Sequence, residues 1–385
     1  MSSRVDSVRV TMIDALVGND YSLCLCSALH AIGVDVELVA PTQRPVNVPI
    51  DYSIRRWMPT KDSTRGKIGK IFPYLEYLAR LFIHMIKNKQ RKKVAHIQFL
   101  RNEQVECIFF LLLGLLGIRL VITAHNILPH ENSKIDRLLR HGIYRAAEKI
   151  IVHSEYMKNK LANDFGVDRE KVKVIPHGNF DHYISGNPIT KAEARSSLNL
   201  SEMDSVVLFF GYIREYKGLD LLLDAFEICM RKDKWLKLVI AGAPQSLEIE
   251  NHYRRRIEQI STDDVIRFHA GFVPAERVAV YFIASDVVAL PYREIDHSGI
   301  VHLAYSFARP LIATNVGDFS EVIEDGKSGY LLGENSAECL SEIILRAFSN
   351  RLRLEAMGNH ARILSETRYS WLEIAKKTKE VYETC

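Results

Sequence analysis

The sequence predicts an α/β protein made of two doubly wound parallel-sheet domains, and three observations carry that expectation. Short β-branched runs alternate with amphipathic helical stretches along the chain, the pattern of parallel strands joined by crossover helices. The alternation runs its course twice, in two series of six strands. The 385 residues are too many for one ordinary α/β domain and suit two of roughly 180 each.

In the first series the strands are expected at Val8–Ile13, Val34–Val39, Val94–Gln98, Leu120–Thr123, Lys149–His153 and Val172–Ile175. Helices such as Tyr21–Ile32, Leu75–Lys87 and Ile135–Ala147 lie between them. The second series is Val206–Phe210, Leu238–Ala241, Val265–Ala270, Val287–Leu290, Pro310–Ala313 and a short strand near Tyr330. The polar stretch Gly178–Ser197, with Gly186, Asn187 and Pro188, has little apolar periodicity and marks the junction. The expected domains are therefore 1–182 and 183–365. Residues 366–385 form a helix, marked by Trp371, that packs back toward the N-terminal domain. Each domain is expected to turn the C-terminal ends of its strands toward a shared cleft, since α/β sheets bind ligands there.

Composition narrows the class. Apolar residues are 47% and charged residues 25%, enough for two full cores without disulfides or metals. The six cysteines are scattered, with no C-x-x-C, so they read as small core hydrophobes in a reducing, cytoplasmic setting. The N-terminal stretch shows no secretory signal. The longest apolar run, Ile108–Ile118, is too short to span a bilayer and reads as a buried helix. A net charge of +4 is too small to argue for nucleic acid by itself.

Two segments carry chemistry. In the first, Phe209-Phe-Gly-Tyr-Ile-Arg-Glu-Tyr-Lys-Gly218, a buried strand runs into a glycine turn, two cations and a helix start. Arg214 offers a planar fork and Lys217 a point charge, a pairing that suits a diphosphate. A solvated loop with ordinary surface charges is the alternative. In the second, the strand ending at Leu290-Pro291 leads through an acid-rich loop to Ser298-Gly299, which opens a helix. The N–H groups of Gly299, Ile300 and Val301 would form an anion site there. A further turn, Asn315-Val-Gly-Asp-Phe-Ser-Glu321, ends in a carboxylate.

Taken together, these segments resemble the retaining glycosyltransferases of family 4, which have the GT-B fold. The family pattern G-x5-K-G, E-x-x-G, x-P-[LIV]-[IV]-A-[ST] and G-x-x-x-E meets Gly211–Gly218, Asp296–Gly299, Arg309–Thr314 and Gly317–Glu321 in that order, with Asp for Glu at 296. In the first half, Thr123-Ala-His-Asn126 looks like the family's T-x-H-N loop, whose histidine faces the donor sugar. The resemblance thus implies His125 and Asp296 as catalytic residues. It places Arg214, Lys217, Gly18, Ser298, Gly299, Ile300 and Val301 on the donor diphosphate, and Asn19 and Tyr21 on the acceptor side. The nucleoside would meet Phe272 and Val273. His153 and His177 read as architectural.

The chain departs from the family at one conspicuous place. Aligned on Gly299, the second acid of the family's E-x7-E falls on Ala304, so the usual ribose contact passes to Glu294 or Glu321. A branch of the family reads S-G-[IV]-x-x-A-Y here, and this chain has Ser298-Gly-Ile-Val-His-Leu-Ala-Tyr305, one residue longer before the Ala-Tyr pair. Arg214 is offset from the usual Gly-Arg pair, because Tyr212 follows Gly211. What the resemblance implies is a metal-independent hexosyltransferase with no cofactor, using a UDP- or GDP-sugar as donor. The acceptor would be a glycan, a glycolipid or another lipid-linked or small molecule. A sugar-nucleotide epimerase of the same fold, and a non-catalytic nucleotide-sugar-binding subunit, are the rival readings.

The stretch 61–93 holds ten Lys or Arg against Asp62 and Glu76, interleaved with apolar residues. It reads as a crossover helix with a solvated basic face. Alternatively it is a peripheral docking site for an anionic membrane on the cytoplasmic side. No nucleic-acid module is present, and no nucleic-acid partner is expected.

Overall fold

The computed structural model describes residues 8–17, 20–43, 48–59, 67–87, 93–127, 134–185, 189–260 and 265–385. The chain divides into two compact units: unit 1 is Met1–Gly178 with Ser370–Cys385, and unit 2 is Asn179–Tyr369.

Unit 1 runs β1 (Arg9–Asp14), α1 (Tyr21–Ala31), β2 (Asp35–Pro41), β3 (Ser53–Met58), α2 (Lys67–Lys87), β4 (Lys93–Phe99), α3 (Glu103–Leu115), β5 (Arg119–Thr123), α4 (Lys134–Ala146), β6 (Lys149–Val152), α5 (Glu155–Phe165) and β7 (Val172–Val174). The strands form one parallel sheet in the order β3-β2-β1-β4-β5-β6-β7. The order reverses between β1 and β4, which opens a crevice at their C-terminal ends. The central strands are largely apolar on both faces because helices cover both. One face packs on α2 through α5 by way of Leu81, Phe110, Tyr144 and Leu161. The other packs on α1.

Unit 2 opens with two short helices, α6 (His182–Ser185) and α7 (Lys191–Ser197). It continues β8 (Ser205–Phe210), α8 (Leu219–Met230), β9 (Leu236–Gly242), α9 (Leu247–Ile260), β10 (Ile266–Ala270), α10 (Ala275–Ala284), β11 (Val287–Leu290), α11 (Gly299–Ser306), β12 (Leu311–Ala313), α12 (Phe319–Val322), β13 (Gly329–Leu331), α13 (Ala337–Ser349) and α14 (Arg351–Glu366). Its parallel sheet has the order β10-β9-β8-β11-β12-β13, with the reversal between β8 and β11. On α8, Leu219, Leu222, Leu223 and Phe226 are fully buried, each worth about 1.5–3 kcal/mol of transfer free energy. The chain then returns to unit 1 as α15 (Trp371–Glu383), whose Ile374, Ala375, Val381 and Tyr382 join the core beneath α1.

The expected pair of doubly wound sheets is there, with three differences in unit 1. The first sheet has a seventh strand, β3, that the sequence hides because Ser-Ile-Arg-Arg-Trp-Met lacks a β-branched run. Its charges are absorbed at the sheet edge: Arg55 donates to buried Glu37 of β2, which also accepts from Thr11 and contacts His84 of α2. Burial pushes the Glu37 carboxyl up, but the bonds from His84, Arg55 and Thr11 outweigh it and hold the group at about 2. Helix α2 starts at Lys67 rather than Leu75 and passes through Pro73, which has no N–H to donate to the helix. Helix α3 is not a buried helix. Only one side, with Cys107, Phe110 and Leu113, meets the sheet, while Val105, Ile108, Leu112 and Leu115 are exposed. Four of the six cysteines are buried, and Cys339 and Cys385 are half-buried.

Candidate active site

In unit 2 the loops leaving β8, β9, β11 and β12 meet at very short backbone distances. Gly218 has φ +65°, and a Cβ there would lie 1.9 Å from the Pro291 carbonyl oxygen. Gly317, at φ +58°, would place one 2.0 Å from the Ile295 oxygen. Only glycine permits both approaches. Arg293 ties the same loops together, its amide donating to the Tyr216 oxygen and its guanidinium to the Glu215 oxygen and the Asp220 carboxylate.

Inside this frame Lys217 is buried at 8% exposure, its ammonium 5.3 Å from the Tyr292 ring centroid. Among the described residues no carboxylate pairs with it. Burial pushes it down to about 8, with Tyr216 opposing and Arg214 adding to the shift. A Cβ at Gly211 would come within 3.1 Å of Lys217 Nζ and 3.5 Å of the Ile300 side chain. The bare glycine therefore leaves room between the cation and the first turn of α11. Arg214 stands at the N-cap position of the short turn Glu215–Lys217 without a side-chain capping bond, its guanidinium 5.8 Å from the Tyr212 ring and its Nε buried with no partner among the described residues.

Ser298 is the N-cap residue of α11 and is buried, but its side chain makes no capping bond. One expectation needs correction here. The Val301 N–H is turned back to the Ser298 oxygen at 3.2 Å, which leaves Gly299 and Ile300 as the first-turn amides with no partner among the described residues. Asp296 and Glu321 are half-buried and Glu294 is exposed. Between them His297 Nδ1 donates to the buried Asp318 carboxylate at 2.6 Å, which holds the acidic loop in place. Phe272 stands 74% exposed just beyond β10, and Val273 packs against the unit 2 core. Ala304 is fully buried among apolar neighbours, so it offers nothing to a ribose.

In unit 1 the crevice is lined by side chains. His125 follows β5 and is held on three sides. Its Nε2 donates to Gln98 Oε1 at 2.8 Å, and its Nδ1 meets His153 Nε2 at 3.0 Å. Its ring stacks on Phe99 at 4.3 Å with an interplanar angle of 9°. His153 in turn donates from Nδ1 to the Ile175 oxygen. Tyr21, the first residue of α1, is buried and meets His125 edge-on at 4.7 Å. Burial raises its phenol well above the usual range, so it stays neutral. His177 and Trp371 close on the other side of Tyr21.

Beneath lies a second layer. His96 Nε2 contacts the Thr123 hydroxyl at 2.7 Å, and its Nδ1 contacts Tyr382 of α15 at 2.6 Å. Gln98, Phe99 and His96 carry no motif; only the i, i+2 spacing of His96 and Gln98 on β4, a strand paired to β5, hinted at two of them. Gly18 and Asn19 lie outside the described residues. A cavity of about 390 Å³ opens between Leu16 and Val17 after β1, Pro41 and Gln43 after β2, Pro59, and Leu100 and Arg101 after β4.

A switch-point crevice with a buried lysine and a helix start, in a chain of two doubly wound sheets, defines a GT-B glycosyltransferase architecture. The chain belongs to that family. Residues 190–364 match the model for glycosyl transferases group 1, and residues 20–179 that for glycosyltransferase family 4. A D-inositol 3-phosphate glycosyltransferase of Corynebacterium glutamicum is 24% identical, over 94% of this chain and 90% of its own length. One from Gordonia bronchialis is 26% identical over 66% of this chain, which spans only 58% of that relative. The solved structure of a sucrose-phosphate synthase from Thermosynechococcus elongatus superposes with a TM-score of 0.76 at 19% identity, covering 98% of both chains. Anabaena Alr3699/HepE, solved with UDP and glucose, gives 0.77 at 16% identity, covering 98% of this chain and all of its own.

Proposed function

We propose that this chain is a retaining, metal-independent hexosyltransferase that uses a UDP- or GDP-sugar. The observation that supports it best is Lys217: a buried ammonium without a carboxylate partner among the described residues, across Gly211 from the start of α11. Breaking the bond between the anomeric carbon and the diphosphate leaves new negative charge on a phosphate oxygen. Lys217, Arg214 and the amides of Gly299 and Ile300 would stabilise that charge as it develops, which a metal does in other enzymes. Phe272 offers an apolar platform for the base, and Glu294 or Glu321 a carboxylate for the ribose. Asp296 and His125 would address the sugar, with Tyr21 and the cavity beside Leu16 on the acceptor side. Glycans, glycolipids and small hydroxyl compounds all remain in the acceptor class.

Ala304 favours a second reading, a subunit that binds the nucleotide sugar and transfers nothing. One experiment separates the two. A thermal-shift panel of nucleotide sugars should show stabilisation by the cognate donor, and turnover with that donor should persist in excess EDTA. Lys217→Ala should weaken donor binding by about 1.5–3 kcal/mol, read by calorimetry. Unchanged donor affinity in that variant would sink the diphosphate assignment, and binding without transfer or hydrolysis would leave the second reading.

A further inference from the structure

We propose that the outer layer of unit 1, made by α2, α3 and α4, docks on an anionic lipid bilayer. Among the described residues, half of the exposed large apolar side chains lie on these three helices, eleven of twenty-two. The three helices form one layer. Each sends its other side into the same core against the sheet, the Tyr74 hydroxyl of α2 donates to Glu106 of α3 at 3.0 Å, and α3 packs on α4. Phe72 on α2, Leu115 on α3 and Leu138 on α4 are 74%, 84% and 70% exposed. An apolar surface of this breadth marks an interaction site rather than scatter.

The charge pattern selects the partner. Helix α2 carries four Lys or Arg against Glu76 alone, and α4 four against Asp136 alone. Between them, the stretch from Cys107 to Ile118 has no charged residue. An apolar centre with basic flanks matches the boundary between acyl chains and anionic headgroups. A second copy fits poorly, because a self-complementary contact would set basic flank against basic flank. The uncharged centre also lacks the polar groups that fix register on a folded partner. No helix among the described residues is long and apolar enough to cross a membrane, so the chain would rest on the surface. The face is wider than the basic stretch 61–93 and works by apolar insertion as well as by charge.

The full chain is tested by co-sedimentation with vesicles of phosphatidylcholine alone and of phosphatidylcholine mixed with phosphatidylglycerol. Binding should favour the mixed vesicles at low salt and fade as the Debye length shortens below about 8 Å. The double variant Leu112→Glu with Leu115→Glu should lower partitioning by roughly tenfold or more, with thermal stability and nucleotide-sugar affinity unchanged. Arg137→Glu with Arg145→Glu, also exposed, should abolish the preference for anionic vesicles and serves if the leucine variant folds badly. Wild-type binding to neither vesicle overturns the proposal, as does a leucine variant that binds like wild type. Dimerisation by sedimentation velocity that disappears in the leucine variant would assign the face to a second copy instead.

Discussion

The two units solve the same problem with different materials. At the mouth of unit 2 the loops are shaped by backbone, with Gly218 and Gly317 each allowing a carbonyl oxygen to approach where a side chain would stand. At the mouth of unit 1 the loops are shaped by side chains, in a run from Ile175 through His153, His125 and Gln98 to His96. A backbone frame is rigid and indifferent to chemistry, which suits holding a diphosphate. A side-chain frame places particular donors and acceptors, which suits a reacting sugar.

The largest effect should come from breaking the backbone frame. Gly218→Ala forces a Cβ against Pro291 at an unfavourable φ, and should cost about 3–5 kcal/mol of stability. Urea denaturation followed through unit 2 measures it. A loss below about 1 kcal/mol would show that the loop gives way freely and that the frame is soft.

Breaking the side-chain frame should spare the fold and cost catalysis. His125→Ala should lower turnover by roughly 10²-fold or more while nucleotide affinity stays near wild type. Gln98→Ala keeps the imidazole but removes one restraint, and should fall by roughly fivefold. Paired calorimetry and transfer assays decide both. Wild-type turnover in His125→Ala would move the reacting centre away from β5.

Much of this contrast explains what could be read in advance. Gly211, Lys217, Gly218, Ser298 and Gly299 sit in two short segments, because a tight backbone turn is encoded by neighbours in sequence. The residues around His125 come from strands β4, β5 and β6 and from α1, so no single segment shows them. Strand β3 was hidden by Arg55 and Arg56: Arg55 is taken up by Glu37 beside it, while Arg56 is exposed and donates to the Thr42 oxygen. The outward face of α3 was hidden too, since an unbroken apolar run looks the same whether one side or all sides are buried.

His96 sharpens the comparison through pH. Burial pushes its imidazole down to about 3, so the folded chain holds it neutral while the unfolded chain protonates near 6.5. Its contribution is therefore fully present above pH 6.5 and is lost as pH falls toward 3. Urea midpoints for unit 1 should drop across that window, and His96→Asn should flatten the slope. An equally steep slope in the variant would assign the acid sensitivity to other groups.

The smallest effect returns to backbone. Ala308, in the turn after α11, has φ +54°, where an L side chain is strained. Ala308→Gly should stabilise unit 2 by about 1 kcal/mol, seen as a higher denaturation midpoint. No gain would mean that the surrounding contacts already offset the strain.

The return of α15 bears on how the protein is made. Tyr382 touches His96, and Ile374 and Val381 complete the core beneath α1, yet residues 370–385 are translated after all of unit 2. On the ribosome, unit 1 must wait with an open side while the later unit finishes folding within one continuous stretch of chain. Biogenesis therefore runs opposite to the order of the code: the second unit is self-sufficient first, and the first is sealed last.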